Sequence, residues 1–165
     1  MIVIPRLLFV LALVVVPVLI YATSTDLPAR VATHFGSGGR ANGWMPRGGY
    51  LAFMLAMATL LPLLVAGLTG FIPRIAVSQI KIANRDHWLA PARREQTLAW
   101  LMSHACWLGI VLTLFMAGLH FMIVQANERV PARLAEPQFF VLMGVFVALL
   151  VLWIVGMAVR FRRAL

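Results

Sequence analysis

The sequence predicts an all-α fold: a polytopic membrane protein with four transmembrane helices and an ordered, glycine-rich outer loop. Four stretches of 19 to 32 residues contain no Asp, Glu, Lys or Arg: 7–25, 48–73, 96–127 and 137–159. About 20 apolar residues in a helix cross a hydrocarbon core of roughly 30 Å. The chain is 62% hydrophobic and 12% charged, whereas globular chains average about 25% charged residues. Alternating strands of the membrane-barrel type are absent from the sequence, so each stretch is predicted to be a helix.

The polar connections are too short for a separate extramembrane domain, so the chain is predicted to be a single membrane domain, 1–165. Its predicted parts are spans at about 5–25, 48–73, 97–125 and 138–160, an outer loop at 26–47 and a cytoplasmic loop at 74–96.

The first span has an alternative interpretation as a secretory signal peptide. Arg6 precedes an apolar run, and Ala22 and Ser24 have the −3/−1 spacing of a cleavage site. The apolar run continues through Thr25, however, and nothing after Ser24 resembles a soluble mature domain. We therefore expect the first span to be retained as a membrane anchor.

The outer loop has the most distinctive local sequence, with six of the twelve glycines between positions 36 and 49. Residues 30–35 can be extended, the glycines that follow permit positive φ, and Asn42-Gly43 predicts a tight turn before Trp44. The simplest interpretation is a turn-rich connector with aromatic anchors. The functional alternative is a binding loop, with His34, Phe35, Arg40, Asn42 and Trp44 as its candidate residues. Arg40 and Arg47 beside a glycine-rich backbone could also hold an anion such as a lipid phosphate.

Small residues one turn apart predict helix contacts in the second and fourth spans. Gly144-x-x-x-Ala148 is the example in the fourth span, and Ala66-x-x-x-Gly70 is one of two in the second. Such residues let neighbouring backbones approach closely.

The cytoplasmic loop contains Asn84, Arg85 and Trp88, which we also select as candidate binding residues. Asn favours turns and Trp anchors at the membrane interface. Five basic residues of this region would each gain on the order of 1 kcal/mol near an anionic inner leaflet. A structural or lipid-contact role is favoured for this loop over a regulatory or partner-binding one.

The third span contains two histidines, His104 and His120. Sixteen residues separate them, which is about 24 Å along a helix and roughly 160° around it, so they cannot share a site. Gly109 and Thr113 lie on nearly the same face as His120, and this face is expected to point into the bundle. The simplest role for His120 is a neutral imidazole bonded to a neighbouring helix. The functional alternative is a shared outer site, in which His34-Phe35 packs over the outer end of this helix and Trp44 closes the other side.

The distribution of Lys and Arg predicts the orientation. With a cytoplasmic N terminus, nine basic residues lie inside and five outside, so the positive-inside rule places both termini in the cytoplasm. The formal charge of +9 is spread over both sides of the spans and forms no contiguous basic face. We therefore expect the lipid bilayer to be a partner and nucleic acid not to be one.

Two elements of the sequence carry a resemblance to a known family. The first element consists of Leu27-Pro28, His34-Phe35 and Gly39-Arg40-Ala41-Asn42-Gly43-Trp44. The second, at 82–91, resembles an Ile-Pro-Asn-Arg followed by Trp-Leu. Together they resemble a bacterial membrane domain-of-unknown-function family that also forms the N-terminal part of SdpI-type immunity proteins. Asn42 replaces the usual Asp and Ala83 the usual Pro, so a carboxylate that could bind a cation is missing at position 42.

The resemblance implies a bacterial inner-membrane protein. SdpI-type proteins protect their producer from a secreted toxin, but they are longer, and their C-terminal half has no counterpart here. What the residues share with that family is the loop element.

The search for catalytic motifs finds no Gly-x-Ser-x-Gly, His-Glu-x-x-His, Cys pair or P-loop. We therefore expect a non-enzymatic protein without cofactor or metal. The leading hypothesis is a cell-envelope accessory or immunity-like binding protein whose outer loop recognises a peptide, a lipid or another membrane protein. One alternative is a membrane enzyme with an outer His-centred metal site. The other is a small transporter subunit, which the spans disfavour because they lack Asp, Glu, Lys and Arg.

Overall fold

The computed structural model describes residues 3–162, and they are mostly helical. The helices and strands are, in chain order, α1 (Val3–Ser24), β1 (Arg30–Phe35), β2 (Ala41–Pro46), α2 (Arg47–Phe71), α3 (Arg85–Trp88), α4 (Pro91–Asn127) and α5 (Glu136–Arg162). Between Val3 and Arg162, four helices are long and apolar enough to cross a membrane, namely α1, α2, α4 and α5. The chain is therefore a multi-pass membrane protein.

Helices α1, α2 and α4 pack against one another, whereas α5 packs mainly against α4. We call the end of this bundle that carries β1 and β2 the hairpin end, and the other the opposite end. The larger buried cluster lies near the hairpin end and includes Ile20, Val31, Tyr50 and Met54. A smaller cluster in the opposite half contains Phe9, Cys106 and Ile110.

Gly109 allows α1 to approach α4. A Cβ at this position would lie 2.5 Å from Cε2 of Phe9, which is too close for any side chain. The predicted small-residue contact in α5 is wrong, because no atom lies within 4 Å of a Cβ built on Gly144. Gly144 and Ala148 are both exposed on α5. The apolar outer face of α5 suits a lipid environment, where exposed hydrophobic side chains carry no penalty.

Strands β1 and β2 form an antiparallel hairpin, so the prediction of an all-α chain misses this element. Its turn is at Ser37–Gly39, where Gly38 and Gly39 have φ values of 75° and 70°. The predicted turn at Asn42-Gly43 is wrong, because Gly43 pairs with His34 inside the hairpin. A Cβ on Gly43 would lie 2.9 Å from the Cβ of His34, so glycine permits a close cross-strand approach there.

The hairpin turn supports a first testable prediction. Gly39→Ala should lower the thermal unfolding temperature of the detergent-solubilised protein. Alanine would be strained at the φ of 70°, and its Cβ would lie 2.2 Å from the carbonyl oxygen of Leu134. The left-handed backbone alone costs about 1–2 kcal/mol. Gly48→Ala is the matched control, because Gly48 is in α2 and nothing lies within 4 Å of its Cβ position. Equal unfolding temperatures for the two variants would contradict the described turn.

Candidate functional site

His120 is a buried polar centre in α4, with 4% of its surface exposed. Its Nε2 lies 2.7 Å from Oγ1 of Thr23 in α1, and its Nδ1 lies 2.7 Å from the hydroxyl oxygen of Tyr50 in α2. The imidazole also stacks against the Tyr50 ring, with 5.8 Å between ring centroids. One side chain therefore links the three helices of the bundle, as the inward-facing orientation predicted for His120 requires.

The hydrogen atoms of this group can be assigned by counting donors. The Thr23 hydroxyl donates its one hydrogen to the carbonyl oxygen of Leu19, at 2.7 Å. Its oxygen must then accept a hydrogen from Nε2 of His120. In the neutral imidazole Nδ1 is consequently the acceptor, and the Tyr50 hydroxyl donates to it. Both ring nitrogens of His120 are thus engaged.

Thr113 lies on the same face of α4 and is fully buried. Its hydroxyl donates to the carbonyl oxygen of Gly109 at 2.9 Å, and the carbonyl oxygen of Ala58 in α2 lies at 3.4 Å. The face of Gly, Thr and His thus contacts both neighbouring helices.

The candidate binding residues of the hairpin differ in their exposure and in their partners. His34 is exposed, and its Nδ1 is hydrogen-bonded to Oδ1 of Asn42 across the strands. Phe35 is half-buried and Arg40 is exposed. Trp44 is 49% exposed and pairs with Ala32. The polar pairing of His34 with Asn42 within the hairpin is separate from the Thr23 and Tyr50 contacts of His120.

The contact between the hairpin and α4 depends on Asn127, which the sequence analysis did not select. The side-chain amide of Asn127 accepts from the backbone N–H of Ala32 at 2.8 Å and donates to its carbonyl oxygen at 3.0 Å. The sequence signal that could have identified it is an Asn at the end of the uncharged stretch 96–127. Within residues 3–162, no group of three His, Cys, Asp or Glu side chains is positioned to hold a metal ion.

The hairpin turn contacts the segment that leads into α5. The backbone N–H of Gly38 donates to Oε1 of Glu136 at 2.7 Å, and the backbone N–H of Leu134 donates to the carbonyl oxygen of Gly39 at 2.8 Å. Arg47 extends to the other side, where its Nη1 donates to the carbonyl oxygens of Thr25 and Leu27 at 2.7 and 3.0 Å. Arg47 therefore holds the segment that follows α1, and these contacts do not support the predicted anion cradle with Arg40.

A cavity of about 910 Å³ lies beneath the hairpin, bounded by β1, α2, α4 and the start of α5. Its walls are mainly apolar and include five methionines, namely Met45, Met54, Met57, Met116 and Met122. Phe35, Phe53, Phe139 and Phe140 supply aromatic surface. Polar groups are confined mostly to the hairpin side, where His34, Ser37 and Glu136 line the cavity. Flexible methionines let such a surface adapt to different apolar ligands.

The predicted residues of the second sequence element lie at the opposite end and hold the end of α5. Asn84 has a φ of 51°, and its Nδ2 donates to the carbonyl oxygen of Phe161 at 2.9 Å. Nε1 of Trp88 lies 3.4 Å from the same oxygen. Arg85 donates to the carbonyl oxygen of Ser78 and pairs with Asp86. Asn84 and Trp88 thus satisfy a carbonyl group that a helix end leaves without an internal partner.

His104 joins α4 to α5 in the opposite half of the bundle. Its ring lies between those of Trp100 and Trp153, at centroid distances of 4.5 and 4.7 Å. Nε2 of His104 donates to the carbonyl oxygen of Trp153 at 3.0 Å, and Nε1 of Trp153 donates to the carbonyl oxygen of His104 at 2.9 Å. This reciprocal pair fixes the rotation of α5 against α4.

In a comparison with protein families, the model of a domain of unknown function (DUF1648) matches residues 7–60. That region comprises most of α1, the hairpin and the first half of α2, so it contains Thr23, His34 and Tyr50. Comparisons with curated proteins and with solved structures found no match. The match supports the resemblance to a domain of unknown function and provides no link to SdpI-type proteins.

The His120 group gives a second testable prediction. Tyr50→Phe should destabilise the protein by about 1 kcal/mol, because it removes one interhelical hydrogen bond and leaves Nδ1 of His120 without its donor. Tyr21→Phe makes the same chemical change on a side chain that is 62% exposed, and it should leave the free energy of unfolding unchanged. Unfolding of both variants in mixed micelles measures the difference. Similar values for the two would show that the Tyr50–His120 bond does not stabilise the bundle.

Proposed function

We propose that this chain is a cell-envelope accessory or immunity-like binding protein of the bacterial cytoplasmic membrane. In this proposal it acts by binding and not by catalysis. The hairpin end faces outward and receives the apolar part of a peptide, a lipid or another membrane protein in the cavity beneath the hairpin. Both termini lie in the cytoplasm, which the nine-to-five distribution of basic residues favours.

The cavity is the observation that carries the proposal. Its volume of about 910 Å³ lies within the range of about 300–1,000 Å³ that is typical of ligand sites. Its apolar walls and its few polar groups on the hairpin side suit an apolar ligand with one polar end. His34 and Glu136 are the groups best placed to contact that polar end.

The surroundings of the cavity support entry from the bilayer. Phe53 of α2 and Phe140 of α5 line the cavity and are 51% and 66% exposed. Helix α5 packs mainly against α4, which leaves the side between α2 and α5 less closely packed. A ligand dissolved in lipid can therefore reach the methionine-rich walls without passing through water.

The cavity gives a third prediction. Met57→Trp should fill part of the cavity and reduce by several-fold the amount of any lipid or peptide that co-purifies with the protein from native membranes. Met157→Trp is the control, because Met157 is half-buried on α5 and does not line this cavity. Mass spectrometry of the purified proteins gives the yield of bound molecules. Equal yields from wild type and both variants would contradict binding in this cavity.

The orientation gives a fourth prediction. Reporter fusions after Gly39 and Asn127 should report the outside, and fusions after Ala83 and at the C terminus should report the cytoplasm. The assay compares alkaline phosphatase with green fluorescent protein at each position. A cytoplasmic signal at Gly39 would reverse the proposed orientation and place the cavity toward the inner leaflet.

A further inference from the structure

A second cavity, at the opposite end, combines cations with aromatic rings. It has a volume of about 540 Å³ and is lined by His87, Trp88, Arg93, Trp100 and three residues of α5, namely Gly156, Val159 and Arg160. It lies where α3 and the start of α4 meet the last turns of α5. The hairpin cavity shares none of these residues, so the two sites are separate.

Two aromatic rings hold the guanidinium of Arg160. Its Cζ lies 4.5 Å from the ring centroid of Trp88 and 5.8 Å from that of Trp100. A guanidinium over aromatic faces is stabilised by cation–π attraction while its N–H groups stay available for hydrogen bonds. The side chain is therefore positioned at the cavity without needing a carboxylate partner.

The second cation of the cavity is Arg93, whose Nη1 lies 3.1 Å from Nδ1 of His87. Since the arginine can only donate, Nδ1 of His87 is the acceptor, and Nε2–H of the neutral ring remains a donor. In the part of the chain that the structure describes, the one ion pair joins Arg85 to Asp86. Within residues 3–162, no carboxylate lies within ion-pair distance of Arg93 or Arg160, so neither of these two positive charges has a counter-charge among the described residues.

We propose that this cavity binds the phosphate group of an anionic phospholipid. Arg93 and Arg160 supply the planar donors that match phosphate oxygens, and His87 adds a further N–H. Trp88 and Trp100 are residues of the type that lies at headgroup level in a membrane. Val159 and Gly156 continue the wall along α5, whose exposed apolar surface can receive the acyl chains.

A lipid source suits the location better than a free phosphate ion. The cavity lies at the end of two spanning helices, where headgroups of the adjacent leaflet meet the protein. In the proposed orientation this is the cytoplasmic leaflet, which contains the anionic lipids. The orientation decides only which leaflet supplies the lipid, because the site itself is independent of the hairpin cavity and of the function proposed for it.

Titration calorimetry on the full chain in an uncharged detergent tests the assignment. The probes are short-chain phosphatidylglycerol, short-chain phosphatidylcholine and inorganic phosphate. Wild type should bind phosphatidylglycerol at least about tenfold more tightly than either other probe. Phosphatidylcholine carries a choline cation that the two arginines repel, and inorganic phosphate lacks the acyl chains that the apolar surface of α5 can receive. Arg160→Gln and Arg93→Gln should each weaken phosphatidylglycerol binding by about tenfold.

Arg74→Gln and Arg94→Gln are matched controls, because they remove the same charge near the same end and neither residue lines the cavity. Their effect should stay within about twofold, as expected for screened, diffuse attraction. Equal losses in all four variants would overturn the site in favour of general charge. Binding of inorganic phosphate as tight as that of phosphatidylglycerol would overturn the lipid assignment.

Arg160→Gln also removes the contact with Trp88 and Trp100, so it tests packing as well as binding. Arg93→Gln leaves those stacked groups in place and provides the separate test. Weakened lipid binding in Arg93→Gln, with an unchanged thermal unfolding temperature without lipid, would support the proposal. Unchanged lipid binding in Arg93→Gln would contradict the assignment of two arginines to one phosphate.

Discussion

The two hydrogen bonds of His120 are the interaction on which the rest of the structure depends. Lipid tails are as apolar as the helices, so burial of apolar surface does not drive helices together in a bilayer. A polar side chain with partners on two other helices instead fixes their rotation. Thr23 and Tyr50 lie shortly before and shortly after the hairpin in the chain, so His120 also sets the two points between which β1 and β2 must fold.

The attachment of α5 explains why a cavity exists. The hairpin turn holds the first residue of α5, Glu136, through the backbone N–H of Gly38. His104 and Trp153 fix the rotation of α5 against α4, and Asn84 holds its last turn. None of these contacts joins α5 to α2. The space between α2 and α5 is therefore not filled by helix packing, and flexible methionine and phenylalanine side chains form its walls.

Most of the helical architecture could be predicted from the sequence, because an uncharged stretch long enough to cross a bilayer is a strong local signal. The inward face of His120 was also predictable from Gly109 and Thr113. The hairpin turn was not, since Asn42-Gly43 and Gly38-Gly39 are both good turn sequences, and the contacts that favour the second are made with the distant residues Leu134 and Glu136. The partners of His120 lie 97 and 70 residues away, and single-sequence periodicity contains no information about such pairs. The cavity depends on the position of α5 relative to α2, and no sequence pattern indicates this position.

The direction of the hydrogen bonds around His120 bears on the choice between binding and transport. Tyr50 donates to His120, His120 donates to Thr23, and Thr23 donates to the carbonyl oxygen of Leu19. This series of hydrogen bonds ends there, because a carbonyl oxygen has no proton to donate. A proton path needs titratable groups that exchange protons in sequence, and the stretches 7–25, 48–73, 96–127 and 137–159 contain no Asp, Glu, Lys or Arg to continue this one. The group is therefore better suited to fixing helix positions than to moving charge. In the function proposed above, an apolar ligand would be held beside α5, the helix that packs mainly against α4.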